Sequence, residues 1–158
     1  MNKKQDPRIF VIGFMGSDRK GLAKTLAKQY EYRFLDLDDQ IEKKDGRSIQ
    51  RICMMMGEHE YRNKEYEMLC LLAAEKGIVV SCGDGVILDE MNRDILTQNK
   101  VVVADADVSP EILWERAEAE KEFPYAFMNQ SDIAMKKKKF FALYEQRKSL
   151  YNQFISRP

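Results

Sequence analysis

The chain has 158 residues, with 26 Lys and Arg against 26 Asp and Glu and a formal net charge of zero, a balance that excludes a general nucleic-acid binder and a polybasic membrane anchor. Apolar residues make up 44% of the chain and none of their runs approaches the roughly 18 residues of a membrane span, which leaves one globular domain over residues 1–158. The N-terminal MNKKQDPR lacks the apolar core of a signal peptide, and Cys53, Cys70 and Cys82 have no metal-ligand spacing, so a cytoplasmic protein with buried thiols is expected.

Strand and helix patterns alternate along the chain. Ile9–Ile12 is a short apolar run of the kind that fills a buried parallel strand, and it ends at Gly13. Leu22, Leu26 and Tyr30 recur four apart and predict a helix over 21–32. A second strand is predicted over 34–38, closing in Asp36 and Asp38. Ser48 reads as the cap of a helix carrying Ile49, Ile52 and Cys53, which Gly57 interrupts. A longer helix is predicted over 58–76, with Gly77 as its stop. Ile78–Cys82 reads as the third strand, running into Gly83-Asp84-Gly85, and Asp89 as the cap of a helix with Met91, Ile95 and Leu96. Val101–Asp105 is the fourth strand, and Ser109-Pro110-Glu111 is a strong helix start. Residues 121–131 show no period and read as a lid loop, before a last helix over 132–154. Such alternation predicts a parallel sheet with helices on both faces.

Ligands of such sheets bind beyond the carboxyl ends of the strands. Two glycine-bearing loops and the acidic pair Asp36 and Asp38 converge there, a set that suits a phosphate donor, its Mg²⁺ and a hydroxylated acceptor. Gly13-Phe14-Met15-Gly16-Ser17 on the first strand resembles the phosphate loop of the shikimate kinases. Phe34-Leu35-Asp36-Leu37-Asp38, Glu60-Tyr61-Arg62 with Glu65, Gly83…Gly85, and Arg147-Lys148-Ser149-Leu150-Tyr151 resemble further motifs of that family, in the same order.

The resemblance implies a three-layer α/β fold of the P-loop kinase type and a use of ATP and Mg²⁺. The family's usual fifth strand has no counterpart before Pro158, so four strands are expected. It also implies roles: Asp38 as the acceptor of hydrogen bonds from shikimate hydroxyls and the base beside the attacking one, Arg62 and Arg147 as the clamp on the shikimate carboxylate, Gly83 and Gly85 as the place of close backbone approach, Glu65 as the residue orienting Arg62, and Asp36 as the Mg²⁺ ligand.

The donor motif departs from the family pattern. In the loop formed by Gly13, Gly16, Ser17, Asp18, Arg19 and Lys20, the last three stand where the motif Gly-x-x-x-x-Gly-Lys-[Ser/Thr] has glycine, lysine and a hydroxyl. Asp18 brings a carboxylate to an anion site, Arg19 is the remaining candidate for the catalytic cation, and Lys20 cannot ligate Mg²⁺. Asp84 replaces a middle glycine, and Phe123 precedes Pro124 where active members carry an arginine. Three readings stay open: a pseudokinase that keeps the pocket for shikimate or a related hydroxy acid, an active kinase with a non-standard loop moving the ATP γ-phosphoryl to the shikimate 3-hydroxyl, and a protein-interaction module reusing the fold.

Blander roles are expected elsewhere. His59 and Lys136–Lys139 read as surface, Met54-Met55-Met56 and Met68 as core or interface filling, and Trp114 as packed. Asp18 also reads as a plain helix cap, and Arg62 as a partner of Glu58 or Glu65.

Overall fold

Among the described residues four short strands, β1 (Arg8–Ile12), β2 (Arg33–Asp36), β3 (Ile78–Ser81) and β4 (Lys100–Val103), form the sheet. The computed structural model describes residues 6–121, 123 and 132–155. The strands lie in the order β2-β3-β1-β4, all parallel, with Phe10 opposite Val80 and Val101. Between and after them run α1 (Arg19–Tyr30), α2 (Leu37–Asp45), α3 (Ile49–Met56), α4 (Glu58–Leu72), a 3₁₀ turn (Val86–Leu88), α5 (Glu90–Thr97), α6 (Pro110–Glu120) and α7 (Ile133–Ile155).

Successive strand side chains point to opposite faces, so each apolar run serves two cores. Ile9, Val11 and Val79 meet the small Ala23 and Ala27 of α1 on one face. Phe10, Ile12, Ile78 and Val80 face the other way, into a larger core filled from α3, α4, α6 and α7 by Ile52, Leu69, Trp114 and Phe140. This is the expected α/β architecture with both sheet faces covered. The layers are unequal: α1 is the helix of one face, and the larger core holds the rest.

Local signals behaved as the sequence predicts where they concern caps. Ser48, Asp89 and Ser109 each accept a hydrogen bond from a first-turn backbone N–H. The fourth strand, expected over 101–105, ends at Val103, and the first helix, expected over 21–32, spans Arg19–Tyr30. Two further elements differ. The strand expected over 34–38 ends at Asp36, and a helix absent from the sequence reading, α2, begins at Leu37. Asp36 caps it by accepting from the Asp39 N–H at 3.1 Å, and Asp38 and Asp39 sit favourably at the positive end of its dipole. The alternation of Leu35 and Leu37 with acids mimics a strand, while α2 buries only Leu37 and Ile41. The helix expected to reach residue 76 ends at Leu72, and Gly77 takes a φ of 71° just before β3.

Met54, Met55 and Met56 are 63%, 62% and 50% exposed, which overturns the core half of the core-or-interface role expected for them, whereas Met68 and Trp114 are buried as expected. They lie on the solvent face of α3, whose inward side is filled by Ile52 and Cys53. His59 is exposed, as are Lys137 and Lys138, while Lys136 and Lys139 are half-buried. Cys53 and Cys82 are buried free thiols and Cys70 is half-buried. Among the described residues no helix is long and apolar enough to cross a membrane. Of the expected lid, only Lys121 and Phe123 lie within the described residues.

Candidate ligand site

The carboxyl ends of β1, β2 and β3 open into one cavity of about 560 Å³, also bordered by α4 and α7. On the β1 side lies the loop into α1. Gly16 has a φ of 82° and a Cβ there would collide with the Leu113 carbonyl of α6, so this turn admits glycine for both conformation and space. Asp18 adopts the left-handed conformation, φ 57° and ψ 47°. Aspartate is among the few residues besides glycine that tolerate it. Its Oδ1 accepts from the Gly21 N–H at 3.2 Å, so the carboxylate occupies the N-terminus of α1. Arg19 Nη1 donates to the Gly13 carbonyl at 2.6 Å, and Lys20 is exposed at the cavity edge. Ser17 Oγ and Asp105 Oδ1 lie beneath the loop as buried atoms with no hydrogen-bond partner among the described residues.

The opposite wall is built from α2, α4 and the loop after β3. The Tyr61 hydroxyl donates to Asp38 Oδ1 at 2.7 Å and lies 3.4 Å from Glu65 Oε2. Arg62, one turn before Glu65, donates to it at 2.9 Å and to Glu58 at 3.2 Å. The Arg62 guanidinium lies where a side chain at Gly85 would be, so that glycine is what lets Arg62 fold down against the loop. From α7, Arg147 Nη1 donates to Asp84 Oδ2 at 2.8 Å, and its guanidinium stands 5.8 Å from the centre of the Phe14 ring. The Tyr151 hydroxyl lies 2.5 Å from the Asp84 carbonyl and 3.1 Å from that of Gly13, its one proton serving either, and so ties the two glycine loops to α7.

Desolvation dominates the electrostatics of this wall. It pushes the Asp38 carboxyl up from 3.8 to about 6, with help from Asp36 and Asp84, while the Tyr61 hydrogen bond and Arg19 pull it down. Burial likewise raises Glu65 from 4.5 to about 7 against the pull of Arg62. Burial works against the charge on Arg62, but Glu65 beside it outweighs that and holds the guanidinium firmly charged. Tyr61 and Tyr151 are raised, first by burial and then by Asp38 and Asp84 respectively, so both hydroxyls keep their protons.

Of the residues singled out by sequence, Asp18, Arg19, Lys20, Asp36, Asp38, Arg62, Gly83 and Arg147 all border the one cavity. Gly85 lies behind Arg62 and Gly13 beneath Arg19. Asp36 is turned inward: one carboxylate oxygen accepts from Ser81 Oγ at 2.6 Å and the other caps α2. The expected pairing of Arg62 with Glu58 and Glu65 is present. Three features escaped sequence reading: the Tyr61 hydroxyl on Asp38, the Asp84–Arg147 ion pair, and Tyr151 bridging two loops. The tyrosine in Glu60-Tyr61-Arg62 was the available signal for the first.

A parallel sheet whose central strand leads through a glycine turn into a helix, with charged side chains around a cavity at the strand ends, defines a small-molecule kinase fold of the P-loop class. Within that class the chain belongs to the shikimate kinase family: the sequence profile described as shikimate kinase matches residues 15–157. It is 34% identical over 147 residues to the bifunctional shikimate kinase/3-dehydroquinate synthase of Thermotoga maritima, an alignment covering 93% of this chain and 28% of that protein. To the shikimate kinase of Persephonella marina it is 33% identical over 145 residues, covering 92% of this chain and 84% of the relative. The structure of shikimate kinase from Acinetobacter baumannii in complex with shikimate is similar with a TM-score of 0.83 and 28% identity, over 96% of this chain and 81% of that one. The shikimate kinase of Bacteroides thetaiotaomicron is similar with a TM-score of 0.83 and 25% identity, over 94% and 84% of the two chains.

Proposed function

We propose that the chain binds a small polyhydroxylated carboxylic acid of the shikimate class in this cavity and acts as a pseudokinase, its phosphate loop no longer serving ATP. The observation that carries the second half is the Asp18 carboxylate bound to the Gly21 N–H at the N-terminus of α1. A helix N-terminus with free N–H groups is an anion site. An aspartate there meets an incoming phosphate with a repulsion of about 4 kcal/mol at 4 Å and an effective dielectric of 20. Lys20, where the family motif has a hydroxyl, offers no oxygen to Mg²⁺. ATP and Mg²⁺, the family's donor pair, therefore do not fit the residues present.

The first half rests on Asp38, Arg62, Gly83 and Arg147 bordering one cavity, and on the likeness to a shikimate kinase solved in complex with shikimate. Two guanidinium groups suit a planar carboxylate, and Asp38 suits a ring hydroxyl. Calorimetric titration with shikimate and then with Mg²⁺–ATP tests the whole reading: heat with the first and none with the second is the expected result. Heat with Mg²⁺–ATP sinks the pseudokinase, and silence with shikimate sinks the pocket.

One observation favours the alternative of an active, non-standard kinase. The loop keeps a glycine-like backbone at Asp18, and Arg19 holds a cation at its inner edge, half-buried. A coupled turnover assay on the wild type and on Arg19→Ala decides: turnover that vanishes in the variant establishes that reading.

A further inference from the structure

We propose that Asp84 is the specificity-determining residue of the cavity: Arg147 holds its carboxylate as an internal stand-in for a ligand's anionic group, so an acid enters only by displacing it. This rests on reading the cavity as an acid-binding site, and adds what controls entry to it.

The geometry is that of an intramolecular ligand. Asp84 and Arg147 lie 63 residues apart and meet at 2.8 Å with side chains 15% and 11% exposed, both on the cavity wall. Such a charge-assisted bond, largely withdrawn from water but still at the cavity wall, is stronger than a surface ion pair yet open to exchange. The Tyr151 hydroxyl holds the Asp84 backbone carbonyl, which fixes the loop and points the carboxylate at Arg147 rather than at solvent. The second arginine is no freer: Arg62 is held by Glu58 and Glu65. The negative charge of Asp84 also reaches Asp38, Glu65 and Arg62, as the shifts of all three record. An entering carboxylate thus meets two guanidinium groups that already have acid partners. Of the three acids, Asp84 is the one that belongs to a loop rather than to the helix of its own arginine. Exchange at Arg147 therefore leaves α4 undisturbed and asks only the Asp84 side chain to turn away.

The test is a double-mutant cycle on shikimate affinity with wild type, Asp84→Asn, Arg147→Ala and the double variant. Asp39→Asn, an exposed acid on the same cavity rim, is the control for charge alone. Displacement predicts that Asp84→Asn tightens binding at least tenfold while Asp39→Asn changes it less than threefold. It also predicts that Arg147→Ala costs at least tenfold more in the Asp84→Asn background than in the wild type. Equal losses in the two backgrounds, or equal gains from the two Asp→Asn changes, overturn the proposal. Acetate, followed through the NMR signal of the Arg147 Nε–H, keeps the inference testable on its own. If shikimate binds to none of the variants, the shikimate reading has failed. Asp84 then still stands if acetate perturbs that signal at tenfold lower concentration in Asp84→Asn than in the wild type, and falls if the concentrations match.

Discussion

The glycine loop after β1 and the opposite wall of the cavity both carry an internally bound carboxylate, but they hold it differently. Asp18 is fixed by a backbone N–H three residues along its own chain. Asp84 is held by an arginine side chain from a helix 63 residues away. The first arrangement is part of the helix cap and persists as long as α1 does. The second is a side-chain pair that a ligand can exchange. The two regions also differ in chemistry: the loop carries Asp18, Arg19 and Lys20 at its end, while the wall sets Asp38, Arg62 and Arg147 around one cavity.

The largest expected effect comes from erasing the difference. Asp18→Gly combined with Arg19→Lys and Lys20→Thr should raise Mg²⁺–ATP affinity by roughly 10²–10³, measured by calorimetry, since preorganised charge stabilisers act on that scale. Asp18 already stands in a left-handed conformation, so glycine costs the cap only a few tenths of a kcal/mol and the variant should stay folded. No gain would mean that more than the loop has been lost.

On the other wall, Arg62→Ala should weaken shikimate binding about a hundredfold, as truncating one partner of a buried charge pair does. It should also lower stability by about 3 kcal/mol in urea unfolding, because it strands Glu65, whose side chain is fully buried. Binding that survives would remove Arg62 from the pocket's machinery.

Asp38 gives a pH test with a definite sign. Its folded pKa of about 6 lies above the ordinary 3.8, so between these values the folded state binds more protons than the unfolded one. Stability therefore falls as pH rises from about 4 to about 6. Asp38→Asn should flatten that part of the stability curve, its gain over wild type being larger at pH 8 than at pH 4 by about 2 kcal/mol. Parallel curves for the two proteins would show that burial does not act on Asp38.

The smallest effect separates hydrogen bonding from burial at the same residue. The Tyr61 hydrogen bond lowers the Asp38 carboxyl, so Tyr61→Phe should move its ¹³C-detected midpoint above about 6, by roughly half a unit to one unit. Stability should drop by about 1 kcal/mol. A downward shift would contradict the assigned donor.

Much of the frame was legible because its signals are local. The strands at Ile9–Ile12 and Ile78–Ser81 are continuous apolar runs. The caps at Ser48, Asp89 and Ser109 act over two or three residues. The site residues came from motifs in a fixed order, and most of them do border one cavity. By itself the sequence determined the parallel α/β layout and supplied the candidate residues, Asp18-Arg19-Lys20 and the arginines among them. Tertiary structure decided that Asp38 lies in the first turn of a helix, that Tyr61 binds it, and that Arg147 faces Asp84 rather than solvent. The reason is physical: α2 buries two side chains at a spacing that an alternating strand imitates, and an arginine among charged neighbours shows no partner until distant segments are folded together.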